Sequence, residues 1–304
     1  MIFIDANQYL DLYRLKDSKT ILPTIDERRS DIFVTVQVVD EVNRRKLALV
    51  ENFLKNELTP KLQPKGDLPE QLLSSDAINR LRACKDAKSV KEEFDKLIPD
   101  LLKQVSQSTD VVSKALENLF SNPVEHNSEE LERARLRQER GNPPGKKSGP
   151  IGDQLNWEQI LTRWRPDMGL WIITGDDDFA IKYNKDDKER FLNAFLYREL
   201  IQRYGTAPVF CFDNIGIGLA DFVAKTGVKA AKLPTPEEIE KLRKEQESLP
   251  PLGWLEGYDD SAMVAIRSQQ QQHESMLRNA LEAQRISQEV IGPPALPEDD
   301  QSAA

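Results

Sequence analysis

Short apolar runs that stop at polar or acidic residues recur along the chain, and stretches with helical periodicity follow them. Runs of this length, rich in β-branched and aromatic residues, are typical of buried strands. They occupy residues 1–4, 32–36, 170–173 and 208–212. The helical stretches lie at residues 8–15, 37–47, 153–164, 189–204 and 219–225. Long crossovers between the strands indicate an α/β fold with a mostly parallel sheet flanked by helices.

A helical insertion and a charged extension are predicted outside this alternating pattern. Residues at about 70–122 carry one-sided apolar stripes with a spacing of three or four, typical of helices packed on one edge of a sheet. We expect this insertion to belong to a first domain over residues 1–232. Residues 233–304 are expected to form a charged extension with an amphipathic helix at 263–286, which would bind a partner or a second copy. A disordered acidic tail is expected from residue 293.

Net charge, cysteine spacing and the length of the apolar stretches limit the classes of protein to which the chain can belong. The chain has 304 residues and a formal net charge of −9, which disfavours attraction to nucleic acid over the whole surface but allows a local basic patch. Cys84 and Cys211 are far apart in sequence and indicate neither a disulfide framework nor a metal site. The sequence has no signal-peptide pattern and no apolar stretch long enough to span a bilayer. We therefore expect a soluble, cytoplasmic protein.

Acidic residues stand where the predicted strands and helices meet. Asp5 follows the first strand, and Glu41 lies in the helix after the second. Asp153 begins a helix, and Asp176 follows the third strand. The carboxyl ends of parallel strands meet at one edge of a sheet, so all four acids can converge there. Carboxylates are hard ligands that suit Mg²⁺ or Mn²⁺, and such an ion can activate water toward a phosphodiester.

Each of these acids also has an ordinary structural explanation. Asp5 and Asp153 can cap the helices that begin beside them, and Glu41 can pair with Arg45 one helical turn later. The three carboxylates at residues 176–178 can form a solvated turn. The metal site is therefore a hypothesis about the joint arrangement of the acids in one crevice.

The densest run of positive charge in this acidic protein lies just before Asp153. Residues 133–147 hold six cations against a single acid, Glu139. A run of this kind is usually a solvated helix face, but its place beside the predicted acidic site favours contact with nucleic-acid phosphates. The residues predicted to make that contact are Arg135, Arg137, Arg140, Lys146 and Lys147.

Four short segments of the chain resemble the motifs of the PIN-domain nucleases. They are, in chain order, Ile4-Asp5-Ala6-Asn7, Val39-Asp40-Glu41-Val42, Ile151-Gly152-Asp153-Gln154-Leu155 and Thr174-Gly175-Asp176-Asp177-Asp178-Phe179. Residues 141–147, together with residues 157–158, are similar to a large PIN-like branch of mostly uncharacterised prokaryotic proteins. The resemblance covers residues 1–55 and 125–230 and leaves out the insertion and the extension.

The resemblance implies a PIN-like fold and a divalent-metal-dependent nuclease. The catalytic residues, which also bind Mg²⁺ or Mn²⁺, would be Asp5, Glu41, Asp153 and Asp176. Asp178 is a further ligand, or replaces Asp176 because Asp177 adds a third carboxylate to that motif. Asn7 and Thr174 would steady the first acid and the loop by hydrogen bonds.

The predicted function is an endoribonuclease that hydrolyses phosphodiester bonds through a carboxylate-bound metal and an activated water. Its partner would be nucleic acid, with RNA as the expected substrate, and it would not bind a membrane. Two alternatives stay open. A catalytically silent PIN-like interaction protein would use the insertion and the extension as docking surfaces. A phosphatase of the haloacid dehalogenase type would use Asp5 as its nucleophile, but that class requires a second aspartate where this chain has Asn7.

Overall fold

A six-stranded mixed sheet forms the centre of the fold. A computed structural model describes residues 1–63, 66, 68–145, 150–184 and 186–252, and Met1–Pro250 forms one compact unit. The strands are β1 (Ile2–Ile4), β2 (Ile32–Phe33), β3 (Leu170–Ile173), β4 (Ala180–Ile181), β5 (Glu189–Leu192) and β6 (Val209–Phe212). Their order is β2-β1-β3-β6-β5-β4, in which the first four are parallel and β5 and β4 each run antiparallel to the strand before them. The expected α/β class is confirmed, but the sheet is mixed because β4 and β5 add an antiparallel edge that was not expected.

Helices flank this sheet, and several begin at a side-chain cap. They are α1 (Ala6–Asp11), α2 (Leu22–Glu27), α3 (Val36–Asn52), α4 (Ser75–Arg82), α5 (Ala87–Ser106), α6 (Val111–Phe120), α7 (Ser128–Arg140), α8 (Gly152–Arg163), α9 (Ala194–Tyr204), α10 (Ile215–Thr226) and α11 (Pro236–Ser248). Thr35, Asp110 and Asn214 cap α3, α6 and α10 by accepting a backbone N–H from the first turn. Each bond satisfies a donor that the start of a helix leaves unpaired. None of the described helices is long and apolar enough to cross a membrane.

The register of the central strands aligns the carboxyl ends of β1, β3 and β6. All residues of β1 and β3 are buried, as their apolar side chains require. Ile4 pairs with Ile173, and Ile173 pairs with Phe212. Just beyond them, the N–H of Asp5 donates to the carbonyl of Ile173 at 2.9 Å, and the N–H of Thr174 donates to that of Phe212 at 2.8 Å. Asp5 and the loop after Thr174 therefore leave the sheet at the same level.

The insertion expected at about 70–122 consists of α4, α5 and α6. The apolar stripe predicted on α5 is buried, and its members are Val90, Phe94, Leu97, Leu101 and Val105. A polar contact joins the insertion to α3, because Lys46 Nζ donates to Ser108 Oγ at 2.7 Å and to Ser113 Oγ at 3.3 Å. The insertion is thus bonded to the helix that carries Glu41.

The helix predicted over residues 189–204 is wrong in its first part. Glu189–Leu192 forms strand β5, and α9 begins only after it. Along β5, Phe191 is 63% exposed whereas Arg190 is buried, which is the alternation of a strand. The apolar residues of this short strand happen to continue the three-to-four spacing of α9, so the helical pattern extended too far.

The compact unit extends to Pro250, past the boundary predicted at residue 232. Helix α11 belongs to it because Ile239 and Leu242 are buried. Gln246 also forms hydrogen bonds to α1 and to the turn between β6 and α10. Because α11 is highly charged, its few inward-facing apolar residues were not recognised in the sequence as part of the core. The amphipathic helix and the acidic tail predicted beyond it lie outside the described residues.

The contribution of α11 to the folded unit can be measured by substitution. Leu242→Ala should lower the free energy of unfolding by about 2–5 kcal/mol, the usual cost of removing a buried leucine side chain. Lys244→Ala, on the same helix, should change it by less than about 1 kcal/mol, because it removes only an exposed ion pair with Glu240. Urea unfolding of the full chain, followed by far-UV circular dichroism, gives both values. Equal values would show that α11 does not stabilise the unit.

Candidate acidic site at the carboxyl edge of the sheet

Asp5 is the most deeply buried acid of the candidate site. It follows β1 and caps α1 by accepting the N–H of Ala6 on Oδ1 at 2.7 Å, so the cap foreseen for it is present. Its second oxygen, Oδ2, accepts hydrogen bonds from the Thr174 hydroxyl at 2.9 Å and from the Asn7 amide at 3.3 Å. Capping therefore accounts for one oxygen only. The other is held by the two residues expected to steady it.

The loop after β3 is folded by bonds from side chains to its own backbone. Thr174 Oγ1 accepts the N–H of Asp176 at 3.0 Å, and Asp176 Oδ1 accepts the N–H of Asp178 at 2.9 Å. Short polar side chains favour such turns because they replace a backbone acceptor. Since Thr174 also bonds to Asp5, the turn and the end of β1 share one hydroxyl group.

Asp177 has a partner that the sequence reasoning missed. Its carboxylate pairs with the guanidinium of Arg190 on β5, and Arg190 Nη1 also donates to the carbonyl of Thr174 at 2.6 Å. The side chain of Asp177 is 83% exposed, whereas that of Arg190 is 3% exposed. The helix predicted over residues 189–204 concealed Arg190, and β5 reads Glu189-Arg190-Phe191-Leu192, without the polar-apolar alternation that would have indicated a strand. Asp177 thus has a buried cationic partner that belongs to the antiparallel edge of the sheet.

Glu41 and Asp153 are carried by α3 and α8. Glu41 pairs with Arg45 at 2.8 Å, so the ion pair foreseen as its ordinary explanation is present. Asp153 lies in the first turn of α8, where the structure shows no side-chain capping bond, so capping does not account for it. The preceding Gly152 lies close to α3, because a β-carbon there would stand 2.5 Å from Nε2 of Gln37. A glycine therefore lets the start of α8 approach α3.

Charge repulsion shows which acids share one region. Burial, followed by repulsion from Glu41 and Asp176, raises the pKa of Asp5 to about 7, although its hydrogen bonds oppose the rise. Burial also raises the pKa of Asp153 well above its ordinary value, and repulsion from Asp5, Glu41, Asp176 and Asp178 adds to it. Asp5 and Asp153 are therefore both close enough to Glu41 and Asp176 to be affected by their charge, and Asp178 acts on Asp153 as well.

These carboxylates have the donor chemistry of a divalent-metal site but do not already surround one point. Across the described ranges, no group of three or more His, Cys, Asp or Glu side chains is close enough together to hold an ion. Ionised carboxylates repel one another unless a cation lies among them. Their hard oxygen donors fit Mg²⁺ and Mn²⁺, and both Asp153 and Asp176 remain partly exposed to solvent. The metal itself stays a prediction.

The buried part of the basic segment is structural. The Arg137 guanidinium donates to Glu158 Oε1 at 2.7 and 3.0 Å and to Glu199 Oε1 at 2.8 Å, and its side chain is 5% exposed. The prediction that Arg137 contacts phosphates is wrong, because a buried guanidinium must have its charge balanced inside the protein. Together with the pair between Arg163 and Glu130, these bonds hold α7 antiparallel to α8.

The exposed part of the basic segment is smaller than expected. Arg135 and Arg140 are exposed on α7. The antiparallel arrangement of α7 and α8 directs the end that carries Arg140 toward the start of α8, where Asp153 lies. Lys146 and Lys147, which were predicted to contact nucleic acid, lie outside the described residues. Arg135 and Arg140 therefore remain exposed on this helix, and Arg140 lies at the end directed toward the acids.

Comparison of the chain with protein-family models, with curated proteins and with solved structures found no match. The PIN-like resemblance thus rests on the four segments that carry the acids and on their order along the chain. It stays a prediction beside the α/β fold that the structure has.

Without metal, the contribution of Asp5 to the stability of the protein should fall as the pH rises toward 7. The pKa of Asp5 is about 7 in the folded chain against an ordinary value of 3.8, so the folded state binds more protons between these values. Stability contributed by this group is therefore present at low pH and lost as the pH rises through that window. Asp5→Asn removes the ionisation, so the stability of the variant relative to wild type should rise by up to about 1.4 kcal/mol per pH unit.

Urea unfolding in EDTA from about pH 4 to about pH 8 measures this difference. The same series on Asp40→Asn, an exposed acid of α3, is the control and should run parallel to wild type. A constant difference between wild type and Asp5→Asn across the whole range would contradict a raised pKa at Asp5.

Proposed function

We propose that the chain is a divalent-metal-dependent nuclease, and specifically an endoribonuclease. The observation that supports this most is that acids from four separate segments repel one another at the carboxyl edge of the sheet. Buried acids with strongly raised pKa values are costly to the fold and are enriched at functional sites. A solvated turn explains residues 176–178 alone but does not explain why Asp5, Glu41 and Asp153 share their neighbourhood.

Five carboxylates provide the ligand oxygens for Mg²⁺ or Mn²⁺. They belong to Asp5, Glu41, Asp153, Asp176 and Asp178. When bound, a divalent ion of this kind supplies Lewis-acid chemistry for phosphodiester hydrolysis. The hydroxyl of Thr174 and the amide of Asn7 hold one oxygen of Asp5 in place, and support of this kind commonly tunes a metal ligand. The chain thus orients its innermost ligand through neutral donors.

The exposed arginines of α7 hold the nucleic-acid backbone. Arg135 and Arg140 are exposed, and the end of α7 is directed toward the start of α8. Contacts of this type position a phosphate chain without reading its sequence. RNA is proposed as the substrate on the strength of the PIN-like resemblance.

A catalytically silent PIN-like interaction protein is the second candidate. The ion pair between Glu41 and Arg45 at 2.8 Å favours it, because one of the predicted ligands already has a cationic partner. The separation of the carboxylates in the described ranges favours it too. The two candidates differ in one property, which is cleavage that depends on a divalent ion.

Cleavage by the full chain should require both a divalent ion and Asp153. Single- and double-stranded RNA and DNA are incubated with the protein and Mn²⁺ or Mg²⁺, with EDTA as the chelated control. Asp153→Asn should abolish cleavage while keeping the far-UV spectrum, because Asp153 is partly exposed and caps no helix. Asp40→Asn, a matched change at an exposed acid, should leave the rate unaltered. Cleavage that survives Asp153→Asn would refute the assigned site, and no cleavage of any substrate would favour the silent scaffold.

The role of the exposed arginines is tested by the salt dependence of binding. Replacing Arg135 and Arg140 with alanine should weaken binding to RNA of any sequence and reduce the slope of log affinity against log salt by roughly one unit per lost contact. Fluorescence anisotropy with a labelled single strand gives the slope. Arg29→Ala, at an exposed arginine of another surface, is the control. An unchanged slope in the double variant would show that this part of α7 is a solvated helix face that does not contact nucleic acid.

A further inference from the structure

Arg190 reaches the acidic loop from the antiparallel edge of the sheet. It lies on β5 in register with Cys211 of β6, and Cys211 is in register with Ile172 of β3. From there its guanidinium donates through Nη1 to the carbonyl of Thr174 at 2.6 Å and pairs through Nη2 with Asp177. One planar group thus holds two positions of the loop that follows β3.

The positively charged side chain of Arg190 has its partners in that loop. The side chain is 3% exposed, and an arginine stays protonated even when buried. A cation removed from water requires partners inside the protein. In the part of the chain that the structure describes, the partners of Arg190 are the carbonyl of Thr174 and the carboxylate of Asp177, while its Nε has none. Within the described ranges, no second segment accepts a hydrogen bond from the guanidinium.

Hydrogen bonds of Thr174 connect Arg190 to the acids of the candidate site. The carbonyl of Thr174 accepts from Arg190, and its hydroxyl donates to Asp5 and accepts the N–H of Asp176. Asp176 in turn accepts the N–H of Asp178. A shift of the arginine would therefore move the residue to which two of the predicted ligands are bonded.

The three consecutive acids, Asp176, Asp177 and Asp178, differ in their contacts with Arg190 and with the turn. Asp177 has its charge offset by Arg190, and its side chain points largely to solvent. Asp176 and Asp178 instead belong to the turn that Thr174 holds. A buried cation paired with Asp177 offsets one of the three consecutive negative charges, so the turn can keep its shape before any ion binds.

We propose that Arg190 is a positioning residue that sets the acidic loop for a divalent ion. The inference rests on the proposed function, because the ion is the ligand for which the loop is set. Arg190 acts through Thr174 and Asp177 and contacts no substrate. Residues that orient metal ligands from outside the coordination shell typically contribute about 10–100-fold to metal affinity.

Metal affinity separates positioning from simple packing. Mn²⁺ binding is measured by electron paramagnetic resonance at a temperature at which far-UV circular dichroism shows each variant folded. Arg190→Gln should weaken Mn²⁺ binding by about 10–100-fold. Arg190→Lys should recover part of the loss, since lysine keeps the charge but lacks the planar fork that joins two acceptors. Lys188→Gln, an equal change of charge at an exposed position of the same hairpin, should bind like wild type.

A lower melting temperature of Arg190→Gln with unchanged Mn²⁺ affinity would overturn the proposal, because that is the result of packing alone. Equal affinities of the lysine and glutamine variants would also overturn the claim that the charge matters.

Hydrogen exchange without metal tests the loop independently of the proposed function. The N–H groups of Asp176 and Asp178 are bonded within the turn, so their exchange should be faster in Arg190→Gln. Asp177→Asn removes one partner of the arginine at an 83% exposed position, so it should speed the same exchange without unfolding the chain. If wild type binds no Mn²⁺, the proposed function fails while these rates still decide whether Arg190 sets the loop. Unchanged exchange rates in both variants would overturn the proposal that Arg190 positions the loop.

Discussion

The hydrogen bond from the Thr174 hydroxyl to the carboxylate of Asp5 is the contact on which the candidate site depends. It joins the end of β1 to the loop after β3, and it forms because the register of the parallel strands brings both to the same level. The strands are buried on both faces, so the carboxylate that follows β1 is also buried, and burial raises the pKa of Asp5 to about 7. Ordinary sheet packing thus places Asp5 where burial destabilises its ionised form.

Two buried charged clusters in this chain show how structural and functional clusters differ. In the cluster around Arg137, the guanidiniums of Arg137 and Arg133 face the carboxylates of Glu158 and Glu199, so two cations offset two acids and the cluster joins helices. Among the residues that the structure describes, the donors to Asp5 are all neutral, namely a hydroxyl, an amide and a backbone N–H. Its neighbours Glu41 and Asp176 add repulsion. An excess of negative charge of this kind lowers stability without a cation, which is why we interpret the second cluster as a metal site.

Sequence reasoning succeeded where the physical signal was local. The apolar runs that became β1, β3 and β6 need burial whatever surrounds them, and the stripe of α5 follows helical geometry. The partners of Asp5 could be foreseen because Asn7 is two residues away and Thr174 ends an aligned strand. Long-range features were missed. The two-residue strand β4 is too short to show a period, and the inward direction of Arg190 and Arg137 depends on acids far away in sequence.

Direct counting of bound Mn²⁺ tests the shared acidic site most simply. Mn²⁺ is titrated into the metal-free chain at neutral pH, and the electron paramagnetic resonance signal of the free ion is followed in wild type, Asp5→Asn and Asp40→Asn. A shared site predicts saturable binding in wild type and Asp40→Asn, displaced by Mg²⁺ and lost in Asp5→Asn. A free-ion signal that rises in wild type from the first addition as it does in buffer would show that these acids hold no divalent ion.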